Sequence, residues 1–590
     1  VLTTTARGQR LIRTAIPTPA FWGLWRSQKD EVRSLGINPR LNGEAWEVIW
    51  YAEVPAPTAA KPVSAPVVSP AVKALHDAIL ASKPWSTEQL AIFAWFMMTS
   101  VLSSIKALVV RARAGTGKTT TIKAAVTLAP EVNIIYLAFN TKNAAEAKRA
   151  IDDPRVDVLT LHSLGRRFIQ AVWGNVIATK ESSRDLENER VEVAVGKNAP
   201  REVKAKVKKL VSFAKNMLGN ATIQEMVELA QDRDIECPQY ESPVNGGWTV
   251  NRLASAAMTV LEISKERDPQ GRITFDDMVW LPNVMGWVRA WFDLVVVDEA
   301  QDMNMLQLTM AMNSVKPGGR ICVVGDDRQA IYGFRGACQD GLDMMKSRLN
   351  AAELGLTVTR RCPKSTVRLV NPIVPDFKAA DEAPEGLVES INDSVLADTV
   401  KVGDAILSRS NAPLMPICLS LLRKGVAARI EGKDVGQQLA AIVDRVNART
   451  VPQFMVKVEV WGEKQKNRFL DTKHYEEKAI EIDDNVAALK AIAEGSSSVS
   501  EIRDRITRLF QDSDEATAPA VVLSSVHKAK GGEWANVFIL IETFNRKRPL
   551  NAAPETAEQS LARAREEANI YYVALTRVMQ KLTVVSGGNH

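Results

Sequence analysis

Long apolar runs are missing from this chain, and so are clusters of cysteine or histidine. No stretch reaches the roughly 20 apolar residues that an α-helical bilayer span needs, which argues against a membrane protein. The cysteines, at 237, 322, 338, 362 and 418, form no C-x-x-C pair. That argues against a zinc ribbon or a disulfide scaffold and for a reducing, cytoplasmic compartment. The five histidines show no metal-ligand spacing. The first residues, Val1-Leu-Thr-Thr-Thr5, have neither an initiating Met nor a signal-peptide core, so the N-terminus reads as trimmed or incomplete. Charge of one sign is also scarce. A net charge of +6 permits a polyanionic partner without requiring one. What is present is ordinary for a globular chain, 46% hydrophobic and 24% charged, and 590 residues make roughly three to five domains.

Residues 1–53 are rich in tryptophan, with Trp22, Trp25, Trp46 and Trp50. The run from Phe21 to Arg33 reads as a short amphipathic helix, and Ala45–Tyr51 alternates like a strand. Two readings fit: a mini-domain whose aromatics form its core, or an aromatic patch for stacking bases or docking a protein partner. Residues 54–74 carry Pro55, Pro57, Pro62, Pro66 and Pro70 and read as a semi-extended linker.

The chemistry begins at Arg111-Ala-Arg-Ala-Gly-Thr-Gly-Lys-Thr-Thr120, placed between the apolar run Ala107–Val110 and a helical pattern from Thr121. Strand, glycine loop and helix in that order aim backbone N–H groups at phosphate, and the helix N-terminus adds positive partial charge. Ala114, Gly115, Thr116 and Gly117 would line the phosphates, Lys118 would reach the β- and γ-phosphates, and Thr119 would hold Mg²⁺ through its hydroxyl. The first position of the usual motif is Ala112 rather than Gly. Upstream, Ser86 or Thr87 caps a helix that carries Gln89, whose amide is placed to read an adenine edge.

Val132–Phe139 and Val156–Leu164 read as further strands, the latter with a polar end, and Asn140 opens a helix. From 165 to 286 the pattern is mostly helical. It includes Arg201–Lys215, whose lysines at 204, 206, 208, 209 and 215 fit either a solvated face or phosphate contacts. The sheet resumes at Trp291 and ends in Asp298-Glu-Ala-Gln-Asp302. Asp298 would orient Mg²⁺ through water, and Glu299 would act as the general base on the attacking water. Arg320–Gly325 is one more strand. It leads to Gln329 and Arg335, placed to sense a γ-phosphate, and to Tyr332 and Phe334, suited to stacking on bases. Strands alternating with helices predict an α/β fold with parallel sheets and ligands at the strands' carboxyl ends.

These motifs, with Leu356-Thr-Val-Thr-Arg-Arg-Cys-Pro363, Ser525-Val-His-Lys-Ala-Lys-Gly-Gly-Glu-Trp534 and Glu566–Arg577, closely resemble the superfamily 1A DNA helicases of the UvrD/Rep/PcrA type. Phe275–Pro282 and Tyr136–Phe139 resemble the branch with F-box DNA helicases and phage relatives. The resemblance implies two RecA-like motor domains, at 75–165 with 287–352 and at 353–435 with 518–590. It also implies a helical insertion at 166–286 and a reduced, mainly helical or mixed insertion at 436–517. In the family the second insertion modulates unwinding. The resemblance further implies ATP and Mg²⁺ between the motors, with Arg361 and Arg577 reaching the phosphates from the second motor beside Lys118 and Arg335. Glu533 would hold the ribose. Arg360 stands where relatives often have an adenine-stacking Tyr, and Thr120 where several have an adenine-packing Arg. Single-stranded or tailed duplex DNA would meet Phe139, Asn140, His162, Ser163, Tyr332 and Phe334. His527 falls to a DNA contact or an interdomain relay rather than to a metal. The implied activity is ATP-driven movement 3′ to 5′, with or without efficient unwinding, and a monomer is compatible with it.

Overall fold

A computed structural model describes four strands within residues 2–52, and residues 81–98, 105–233, 235, 248–331, 341–467, 475–510, 519–544 and 557–587. The chain divides into two compact units, Val1–Ala78 and Ile79–His590. The first contains a four-stranded antiparallel sheet in the order Leu2–Thr4, Arg10–Pro17, Ala45–Ala52, Ile37–Asn42. Trp50 is opposite Ile12 and Ile37, and Trp46 is opposite Ile16 and Leu41, so these residues share one face. Arg13, Arg40 and Glu47 occupy register positions on the other face. Trp22, Trp25 and the linker at 54–74 lie outside the described residues.

The second unit is built on two six-stranded sheets whose pairings are all parallel. The first runs Ala352–Leu356, Ala107–Ala112, Val315–Gly325, Phe292–Val297, Ile134–Ala138, Val156–Thr160. The second runs Leu387–Asn392, Val578–Ser586, Trp534–Leu540, Ala405–Ser408, Val521–Ser525, Ala428–Ile430. Central strands such as Ile134–Ala138 are buried along their whole length, as strands covered by helices on both faces require. Two such sheets are what a pair of RecA-like motor domains needs.

Two expectations change. Ala352–Leu356 pairs with Ala107–Ala112 from Leu108 to Ala112, so the first sheet extends past the expected boundary at 352. The third strand stops at Thr160, because the Thr160 hydroxyl accepts the Ser163 N–H and starts a helix, Leu161–Trp173. His162 and Ser163 are therefore helical residues in its first turn.

The first insertion is helical as read, with Lys180–Val195, Arg201–Met217, Ile223–Asp232, Val250–Ser264 and Phe275–Val284. A fully buried Asp277 joins three of these helices, accepting from Arg190 at 2.7 Å and Lys215 at 2.5 Å. Lys204 pairs with Glu192 at 2.7 Å, Lys206 with Glu202 at 3.9 Å, and Lys208 donates to Asn188. Three lysines of the basic helix thus have partners within the insertion. The second insertion is also helical: Lys433–Val446, Val451–Lys466, Tyr475–Ala493 and Val499–Leu509. Leu439, Phe454, Leu489 and Ile506 share one core with Ile406, Leu523 and Phe538 of the second sheet, so this insertion is packed onto its motor domain. Among the described residues, no helix is long and apolar enough to cross a membrane.

Candidate active site

Strand Ala107–Ala112 delivers the glycine loop to the carboxyl edge of the first sheet. Gly115 has φ +68° and Gly117 φ +77°, a left-handed backbone in which a β-carbon is strained. Gly117 caps helix Lys118–Leu128 without any side-chain hydrogen bond, which leaves helix N–H groups for an anion. The Thr116 hydroxyl is turned inward, donating to the Arg113 carbonyl at 2.8 Å. The Thr119 hydroxyl makes no hydrogen bond among the described residues, and Thr120 is exposed. Gln89 lies against this loop. Its carbonyl accepts the Ser86 N–H at 3.0 Å as half of a capping box, and its amide nitrogen donates to Thr121 at 2.7 Å. One amide hydrogen of Gln89 remains beyond these two bonds.

Lys118 faces the end of strand Phe292–Val297, where its ammonium pairs with Glu299 and lies 3.7 Å from Asp298. The Tyr136 hydroxyl donates to Asp298 at 2.5 Å, and Gln301 donates to Glu299 at 2.6 Å. Burial alone would push Glu299 up, but the Lys118 and Lys530 ammonium groups overcome it and hold the carboxyl well below its usual range. Burial wins at Asp298 and raises its pKa, with Lys118 opposing. Burial would likewise lower Lys118, yet the two carboxylates raise it and keep it charged. Glu299 is one of few non-glycine residues in left-handed backbone, φ +55°. Such local strain is held only when neighbours over-determine it, and here Lys118 and Gln301 both fix the carboxylate. The oxygen donors Asp298 and Thr119 suit a hard divalent cation such as Mg²⁺.

The second motor meets this loop where the Arg360 N–H donates to the Gly115 carbonyl at 2.9 Å, while within the first sheet the Arg113 N–H donates to the Leu356 carbonyl at 2.8 Å. Arg361 pairs with Glu533 at 2.7 Å and reaches the Thr576 carbonyl at 3.3 Å. Arg577 is 1% exposed and donates to the carbonyls of Val573 and Gly532. No carboxylate pairs with it among the described residues, and burial together with Arg361 lowers its pKa to about 10. A buried guanidinium without a counter-ion beside a phosphate loop is a place for an anionic ligand. The Arg360 guanidinium donates to the Pro84 carbonyl at 3.1 Å. Gln329 donates to Asp326 at 2.7 Å. Phe139 is half-buried on the first sheet's core, Asn140 caps helix Thr141–Ala150, and His527 lies in the short helix Val526–Ala529. Burial lowers the pKa of His162. Tyr332, Phe334 and Arg335 lie outside the described residues.

Other residues join the site that pattern reading did not single out. Lys530 reaches across to Asp302 at 2.6 Å and to the Gln329 carbonyl at 2.8 Å. The Tyr572 hydroxyl accepts the Ala114 N–H at 2.8 Å and lies 3.2 Å from Asp326. Both stand inside motifs already quoted; what was missing is the partner, hundreds of residues away.

Two family models match within the second unit. The UvrD/REP helicase N-terminal domain matches residues 98–350, and the UvrD-like helicase C-terminal domain matches residues 421–587. Similar proteins include a probable DNA helicase II homolog of Mycoplasma pneumoniae, 25% identical over 47% of this chain and 41% of its own length. An ATP-dependent DNA helicase PcrA of Leuconostoc citreum is 24% identical over 68% of this chain and 55% of its own length. The PcrA of Staphylococcus aureus is 30% identical over 20% of this chain and 17% of its own. The chain thus spans about half the length, or less, of these curated relatives.

Proposed function

The chain belongs to the UvrD-like, superfamily 1A DNA helicases of the UvrD/Rep/PcrA type, and on that premise we propose that it is an ATP-driven motor moving 3′ to 5′ along single-stranded DNA and unwinding duplex ahead of it. The observation that carries this reading is the divided site. Lys118, Asp298 and Glu299 come from the first motor, while Arg361 and Arg577 come from the second, whose Arg360 N–H meets the Gly115 carbonyl.

Thr119 and Asp298 would hold Mg²⁺ beside the nucleotide, where a divalent cation would supply charge neutralisation for the phosphates. Lys118 would exchange its bond to Glu299 for phosphate. Released from that ammonium, Glu299 would become basic enough to take a proton from the attacking water. Arg577, already desolvated, would stabilise charge developing on the phosphates, with Arg335 and Gln329 completing the clamp. Arg361 would leave Glu533, which would then hold the ribose. Gln89, Arg360 and Thr120 would surround the base. Since these groups come from both motors, closure and opening follow turnover. The strand would then be ratcheted past Phe139, Asn140, His162, Ser163, Tyr332, Phe334 and His527.

A second reading is a translocase that strips proteins from single strands with little unwinding. It is favoured by the small second insertion, whose helices share a core with the second sheet. Either reading predicts ATP hydrolysis stimulated by single-stranded DNA. Lys118→Ala and Arg577→Ala should each lower kcat by about 100- to 1000-fold, as loss of one oxyanion-type donor does. Turnover unchanged by both substitutions would overturn the site.

A further inference from the structure

The phosphate loop carries a charge that phosphate chemistry does not use. Arg113 is buried, and its guanidinium meets three carboxylates rather than the nucleotide side of the loop. Two belong to the first motor, just past strand Val315–Gly325: Asp326 at 3.2 Å and Asp327 at 2.8 Å. The third is Asp376, bound through two guanidinium nitrogens at 2.9 and 3.1 Å. Asp376 lies beside Val374 and Phe377, which are buried in the second motor's core, with Phe377 edge-on to Tyr572. Asp327 is also held by Arg111 at 3.0 Å, and Arg111 reaches Asp343 and Glu353 of the first motor. The first-motor half of the contact is therefore rigid, and Asp376 is the half-exposed arm that crosses the cleft.

Resting on the reading of the cleft as an ATP site, we propose that Arg113 is a positioning residue. Its bridge to Asp376 holds the motors in the nucleotide-binding arrangement before nucleotide arrives, and so sets the apparent affinity for ATP. The circuit is short. Arg113 holds Asp326, Asp326 lies against the Tyr572 hydroxyl, and that hydroxyl accepts the N–H of Ala114, the residue after Arg113. Closing the cleft aligns the glycine loop with the helix Ala557–Leu575, which carries Tyr572 and leads into Arg577. A ligand's apparent affinity falls in proportion to the loss of the binding-competent population.

The test uses the full chain and alters only the exposed arm, because truncating Arg113 would strand the buried Asp326. Asp376→Ala should raise the KM for ATP, and the Kd for a non-hydrolysable ATP analogue, by about two- to five-fold, the size expected of a partly exposed ion pair. The kcat with saturating ATP and single-stranded DNA should stay within about two-fold, and added salt should shrink the difference from wild type. Asp376→Glu should restore KM. An unchanged KM and Kd, or a fall in kcat and melting temperature with KM unchanged, would overturn the proposal. A wild-type chain that neither binds nor hydrolyses ATP would instead sink the ATP site itself, and the proposal with it.

Discussion

Lys118 balances the charge of two carboxylates on the far side of the glycine loop, and the site's protonation follows from that contact. Without the ammonium, Asp298 and Glu299 would be like charges in a buried space, so Lys118→Ala removes a phosphate ligand and disturbs the base together. A second titration belongs to Asp302. Burial raises it to about 6 against the pull of Lys530. Its folded pKa lies above the unfolded carboxylate value, so its contribution to stability is full below about pH 4 and is lost as pH rises through about 6. Asp302→Asn removes this titration. Measured by denaturant unfolding, the stability of wild type relative to the variant should fall by on the order of 2–3 kcal/mol between about pH 4 and pH 7. A pH-independent difference would contradict the assignment.

At the scale of elements, two glycines separate catalytic geometry from packing. A β-carbon at Gly115 would lie 2.5 Å from the Arg361 β-carbon and 2.6 Å from the Thr359 hydroxyl, on a backbone already at φ +68°. Gly115→Ala should therefore push the second motor off the loop and abolish DNA-stimulated ATPase while each motor still folds. At Gly165 the added carbon would lie 1.8 Å from the Met278 carbonyl, where helices Leu161–Trp173 and Phe275–Val284 meet. Gly165→Ala should destabilise the chain by about 1–3 kcal/mol or more in denaturant unfolding, as overpacking does. Equal effects of both substitutions on stability would count against the distinction. These contacts also show what a linear reading could see. The mainly apolar strands leading to Gly115–Lys118 and Asp298–Glu299 were legible, because a buried parallel strand needs an apolar run and the motif follows at its carboxyl end. The end of strand Val156–Thr160 was not, since the Thr160 cap overrode a continuing apolar pattern. Ala352–Leu356 was assigned across a boundary because only its pairing with Leu108–Ala112 places it in the first sheet. Arg113 and Lys530 were visible as residues, but their partners Asp376 and Asp302 come from the other motor, and no local period encodes such a pair.

Within the second unit the two motors meet at the glycine loop, and among the described residues two ion pairs cross between them: Arg113 with Asp376 and Lys530 with Asp302. Ala114 is the loop residue buried in the second motor's cluster, against Ile331 and Tyr572. A cleft held this way can open at modest cost, as the proposed cycle of closure and opening requires. On the proposed function, the second insertion, packed on its own motor, would bear on how well motion becomes strand separation rather than on whether motion occurs. The most direct test of the central claim is strand displacement with ATP on duplexes that differ only in which strand carries the single-stranded tail. The account predicts displacement, or at least DNA-stimulated translocation, from the 3′-tailed substrate and none from the 5′-tailed one, with Lys118→Ala inactive on both. Displacement confined to the 5′-tailed duplex, or displacement by Lys118→Ala equal to wild type, would contradict it.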